Sequence, residues 1–146
     1  VATTTERVIL GEIPRTASTR KTTTWEDSNV RVHHVAFRTK DLPRLLAFYT
    51  ELLGFSVSRS TDSGVWLDAG GAFVMLERAS AEEPDVPRGS MEIVVFAMAH
   101  TDRARFVEKL GARGVAIEGE TRFSIYFRDP DGRRIGLSHF PEPAAD

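Results

Sequence analysis

Apolar and polar positions change rhythm several times along the chain, and each change predicts an element. Residues 30–39 are dense in β-branched and aromatic side chains and predict a strand. Residues 41–54 switch to helical spacing, with Leu42, Leu45, Leu46, Tyr49, Leu52 and Leu53 on one apolar face. Asp41 can cap the free N–H groups of that helix, Pro43 sits in its first turn, and Gly54 supplies a left-handed stop. Strand-like runs follow at 55–60, 64–68 and 72–78, with Gly70-Gly71 as the turn between the last two.

After a polar linker at 79–89 the same order returns. Residues 91–97 predict a strand. Residues 100–110 predict a helix with Phe106, Val107 and Leu110 on one side, stopped by Gly111. Three more strands are predicted at 115–117, 123–127 and 134–140. The halves align at a shift of about 57–61 residues, so the chain reads as a duplicated βαβββ unit. The resulting organisation is an extension at 1–29, one domain at 30–141 and a tail at 142–146. Within the domain, module one spans 30–79, a linker 80–90 and module two 91–141. The extension is Thr-rich, and reads either as a flexible segment or as an arm anchored by Val8-Ile9-Leu10 and Trp25.

Composition narrows the function classes. The 146 residues have room for one domain of ordinary size, with the apolar and charged fractions of a soluble globule. A formal charge of −2 offers no basic footprint for nucleic acid. The absence of cysteine removes disulfides, a thiolate nucleophile and Cys-based zinc sites. No apolar run reaches the length of a membrane span, and the first residues lack a signal-peptide pattern, so a cytoplasmic location is expected. One sheet face of each unit needs a partner other than its own helix. Two units curving around a shared hollow favour a small-molecule cup.

Two motifs carry a resemblance. HHVAFRTKDLPRLLAFYTELLGF (33–55) and FRDPDGRRIGLSHF (127–140) resemble the opening and closing segments of the vicinal oxygen chelate superfamily, the glyoxalase/bleomycin-resistance/extradiol-dioxygenase family. The resemblance covers about residues 30–141. It implies an α+β fold, in which two βαβββ modules form an open, cup-shaped mixed β-barrel with helices outside, usually as a homodimer. Its metal-dependent members place up to four ligands in the cup, one from the first and last strand of each module. Mn, Fe, Ni or Zn suit such His/carboxylate sets.

Carried over position by position, His34 fits the first ligand and Glu92 falls on its second-module counterpart. The carboxylate of module one falls on Met75, with Glu77 two residues beyond, and the last ligand falls on Gly136. A reduced His34/Glu77/Glu92 metal set is one expectation. A His34/Glu92 pair, acting as a possible catalytic dyad without metal, is another. His139 points away from Gly136 in a regular strand. Arg38, Trp66, Phe73, Met75, Tyr126 and Gly136 are the expected ligand-binding positions, with Phe123 a further candidate for the lining. Asp129-Pro130-Asp131-Gly132 reads as turn chemistry. The expectation is a protein that binds a small hydrophobic or aromatic molecule without the full metal site and with no cofactor. The alternative is a metal-dependent lyase, isomerase or dioxygenase with an altered ligand set.

Overall fold

A computed structural model describes residues 30–142; the expected arm anchors at 8–10 and Trp25 lie outside the described residues. The strands are β1 His34–Thr39, β2 Ser56–Ser60, β3 Gly64–Asp68, β4 Phe73–Arg78, β5 Ile93–Ala97, β6 Ile117–Glu120, β7 Ser124–Arg128 and β8 Arg134–Ser138. Helix α1 is Leu42–Ala47, continued by a π-helical turn at Phe48–Leu52, and α2 is Arg103–Ala112, entered through a 3₁₀ turn at His100–Asp102. Two four-stranded sheets result, ordered β1-β4-β3-β2 and β5-β8-β7-β6. In each the first strand runs parallel to the last, β1 to β4 and β5 to β8, and the remaining pairs are antiparallel. This is the duplicated α+β βαβββ architecture. Even the bulges repeat, at Val57/Arg59 and at Ile117/Gly119.

Local chemistry explains most element ends. The Asp41 carboxylate accepts from Arg44 N–H at 3.1 Å, so the expected cap is in place. Gly70 and Gly71 both take positive φ (74° and 101°), and Ala69 N–H donates to Ala72 C=O at 2.9 Å across the turn.

Module two departs from expectation in its helix. Gly111 does not stop α2, because it stays helical; the left-handed residue is Gly114 (φ 68°), and Val115 N–H closes on Leu110 C=O at 2.9 Å. The following strand therefore starts at Ile117 instead of 115. Val107 is 38% exposed, since only Phe106 and Leu110, spaced i to i+4, share the buried face. The first and last strands of the chain are also shorter than expected, with β1 beginning at His34 and β8 ending at Ser138.

A single core draws on both sheets, and the π-helical turn that continues α1 joins them. The fully buried Tyr49 ring lies 5.8 Å from Phe37 on β1 and 6.5 Å from Phe96 on β5, while Phe48 reaches Phe127 on β7 at 6.2 Å. Tyr49 Oη donates to Asp129 Oδ2 at 3.0 Å. Burial, and then the neighbouring Asp129 charge, push the Tyr49 phenol well above its ordinary value. An unfolded tyrosine ionises near pH ~10, so above that pH the native state holds a proton that the unfolded state has lost. Stability is therefore complete below pH ~10 and falls as pH rises past it, by up to about 1.4 kcal/mol per pH unit. Urea midpoints measured across this range should show the decline, and Tyr49→Phe should flatten it.

Candidate functional site

Phe48 and Tyr49 of the π-helical turn pack against both sheets, and the opposite sheet faces carry the exposed His34, Ala36, Arg38, Ile93 and Val95, with Met75 and Gly136 buried among them. On module one, residues of alternating parity come up on that face: His34, Ala36 and Arg38 from β1, Phe73, Met75 and Glu77 from β4, and Trp66 from β3. Strand register places Ala36 beside Met75, Trp66 beside Met75, and Arg38 beside Glu77. His33, His34, Trp66 and Phe73 form an aromatic cluster, with the His34 ring 4.9 Å from Trp66 and the Trp66 ring 5.9 Å from Phe73. The Nδ1 atoms of His33 and His34 share a hydrogen bond of 2.9 Å.

Arg38 is taken up by acids. It donates to Glu77 at 3.3 Å and, through Nε, to Glu83 Oε2 at 2.8 Å, with a second bond to Glu83 Oε1. These hydrogen bonds raise the guanidinium further above its usual range and hold the Glu83 carboxyl down at about 2. Since Glu83 lies in the 80–90 segment, Arg38 clamps that segment to β1. Lys40 adds a second clamp on Asp85 at 2.9 Å.

The matching face of module two shows what lies against Gly136. A side-chain carbon at that residue would sit 3.0 Å from the Tyr126 ring and 3.1 Å from a Val95 methyl. The missing side chain is thus replaced by two neighbours, Tyr126 on β7 and Val95 on β5, both direct register partners. Arg134 lies over the Tyr126 ring at 5.0 Å. Glu118 receives Arg128 Nε at 2.7 Å and stands 3.6 Å from Arg134 Nε; the Arg128 hydrogen bond lowers its carboxyl below the usual range. Sequence reading missed Val95, Glu118 and Arg134. The parity of β8 about Gly136 was the signal for Arg134.

Register also corrects one expected position. Ala36 pairs with Met75 and Val95 pairs with Gly136, so the counterpart of His34, two residues before Ala36, is Ile93. Glu92 precedes β5 and has the opposite parity, because a one-residue slip exchanges the faces of a strand. No hydrogen bond or ion pair joins it to His34 among the described residues. His34 and Glu77 share a face but stand four strand steps apart, about 13 Å along β1 and β4.

The four positions expected to hold metal thus carry an imidazole, a thioether, an isoleucine and a glycine. This set does not fit a Mn, Fe, Ni or Zn centre, which needs several nitrogen or oxygen donors. No group of three or more His, Asp or Glu residues is arranged to hold a metal ion among the described residues.

Phe123 stands outside this surface, packed on His139 (5.5 Å) and Phe140 (5.2 Å). His139 is buried, against the His100 ring at 4.6 Å, and its Nδ1 is bonded to Glu142 C=O at 3.0 Å. The Asp129–Gly132 turn closes as expected, with Gly132 N–H on Asp129 C=O at 2.9 Å.

The profile of the Glyoxalase/Bleomycin resistance protein/Dioxygenase superfamily matches residues 31–137. The chain belongs to this superfamily. Among its relatives, the metallothiol transferase FosB of Staphylococcus saprophyticus is 28% identical over 116 residues, covering 73% of this chain and 74% of the relative. The glutathione transferase FosA of Serratia marcescens is 28% identical over 110 residues, covering 73% and 78%. A variant of the fosfomycin resistance protein FosX from Listeria monocytogenes, crystallised with Mn(II) and 1S,2S-dihydroxypropylphosphonic acid, superposes with a TM-score of 0.62. It is 19% identical and covers 76% of this chain and 90% of that one. The likeness to the FosX structure shows the shared fold. No helix among the described residues is long and apolar enough to cross a membrane.

Proposed function

We propose that this superfamily member binds a small hydrophobic or aromatic molecule on its open sheet faces, without the full metal site, as a homodimer. The observation that carries the reading is the substitution pattern: Met75, Ile93 and Gly136 leave His34 as the one nitrogen or oxygen donor at the four positions. Removing charged groups from a cup favours an apolar guest. Trp66 and Phe73 offer it ring faces and Met75 an adaptable thioether.

Exposure supports the dimer. Ile93 and Val95 are 36% and 45% exposed, and no hydrogen bond, ion pair or ring contact connects the His34 face with the Tyr126 face among the described residues. A second copy would supply the opposing wall, in the two-fold manner common for oligomers.

The test is metal analysis of untagged protein, followed by thermal shift with aromatic ligands. Less than one transition-metal ion per chain is expected, together with a concentration-dependent rise in melting temperature. Trp66→Ala should weaken binding of an aromatic ligand about tenfold, the equivalent of ~1.4 kcal/mol. One bound metal per chain that disappears in His34→Ala would overturn the metal-free reading. It would favour the alternative of a metal-dependent enzyme, which the names of the FosB relatives support.

A further inference from the structure

A cavity of about 390 Å³ lies at the seam of β1 and β5; it reaches the sheet faces at Ala36, Ile93 and Arg134 and includes none of His34, Trp66, Phe73 or Tyr126. Its walls are Val35 and Phe37 from β1, Val94 from β5 and Ile135 from β8, with Val86 and Pro87 of the linker across it. The volume falls within the range of small-molecule sites, and the lining is mostly apolar, as such sites are. The linker is held in place by the Arg38–Glu83 and Lys40–Asp85 pairs and by Arg128, which donates to Ser90 C=O at 2.7 Å.

Three charged side chains line the cavity, and their situations differ. Arg133 is committed to Asp129 (3.3 Å) and Asp131 (3.1 Å) and lies over the Phe37 ring at 5.0 Å. Arg134 lies over Tyr126 and has Glu118 at 3.6 Å, though its buried Nε makes no hydrogen bond. Glu92 has no hydrogen bond or ion pair among the described residues. The acceptor left open at this apolar cavity is therefore a carboxylate.

We infer that the seam cavity is a second binding site, for a small apolar amine whose ammonium group pairs with Glu92 and whose hydrocarbon body lies against Val35, Val86 and Val94. An ammonium–carboxylate bond is of the charge-assisted kind, and the apolar walls beside Glu92 supply the contact that an exposed ion pair alone lacks. The role accounts for an acid that sits one residue away from the position of a cup ligand.

Phenethylammonium, phenylpropionate and phenethyl alcohol test the inference by calorimetry on the full chain. They share a ring and differ in charge. The expected result is saturable binding of the cation, at least tenfold tighter than the anion or the alcohol. Glu92→Gln should lose about tenfold for the cation. Val94→Phe, which fills the cavity, should abolish binding, and Trp66→Ala should leave it unchanged. No binding of the cation, equal binding of all three compounds, or a cation affinity unaffected by Glu92→Gln would overturn the assignment. Sensitivity to Trp66→Ala alone would place the amine on the aromatic cluster and overturn it as well. Glu92→Gln is isosteric at an exposed residue, so the outcome does not depend on Val94→Phe folding.

Discussion

Asp129→Ala should destabilise the protein by about 3–5 kcal/mol, the cost of breaking a buried charged pair by removing one partner. The Asp129 side chain is 0% exposed and has four partners. Oδ1 accepts the N–H groups of Asp131 at 2.9 Å and Arg133 at 3.0 Å, while Oδ2 accepts Tyr49 Oη at 3.0 Å and faces Arg133 Nη1 at 3.3 Å. Alanine would leave a buried phenol and two backbone donors without partners, each a desolvated group with no compensation. Asp129→Asn retains an acceptor oxygen and should cost less. The loss is read from urea unfolding at neutral pH. A change below ~1 kcal/mol would show that the network contributes little, as exposed ion pairs often do. The residue also bears on function, because Tyr49 belongs to the helix of module one and Asp129 to the β7–β8 turn of module two. Weakening their bond loosens the relation between the two sheet faces.

Gly64→Ala is the second large effect, expected at about 2–3 kcal/mol, the usual cost of overpacking. The cause is close approach: a side-chain carbon at Gly64 would overlap the Leu76 carbonyl oxygen and stand 3.1 Å from Glu77 Cα. Both are backbone atoms of β4 and cannot move aside as a flexible side chain does. The β3 end would have to separate from β4 where Glu77 meets Arg38, and the Thr61 N–H to Gly64 C=O bond (2.8 Å) would be strained as well. Gly119→Ala is the control, with Tyr126 Cδ2 at an ordinary 3.8 Å, and should change stability by no more than ~0.5 kcal/mol. Equal melting temperatures for the two variants would show that the β3–β4 spacing yields easily.

Much of this architecture was legible in the chain itself. Hydrophobic period separates strands from helices, Asp41 and Gly70-Gly71 mark a start and a turn, and repetition of the order reveals the duplication. Each is a local property, decided by a few neighbouring residues. Errors arose where a choice depended on something distant. Gly111 and Gly114 are both plausible helix stops by type, and only the packed position of Leu110 selects the second. Asp129 reads as a turn residue until the π-helical turn after α1 brings Tyr49 against it.

The candidate site divides in the same way. From the chain alone comes the expectation that Gly136, inside the closing motif, and Met75, with Glu77 two residues beyond, fall on the family's last-strand ligand positions. The chain did not determine the partner of His34 in module two. That depends on strand register, and a slip of one residue exchanges Ile93 for Glu92 and one sheet face for the other. Nor did the chain show that Phe48 and Tyr49 would pack against both sheets, or that Tyr126 and Val95 would close over Gly136. Contacts of this kind join residues far apart in sequence, so they are decided by how the packed elements share volume, and only the tertiary structure contains them.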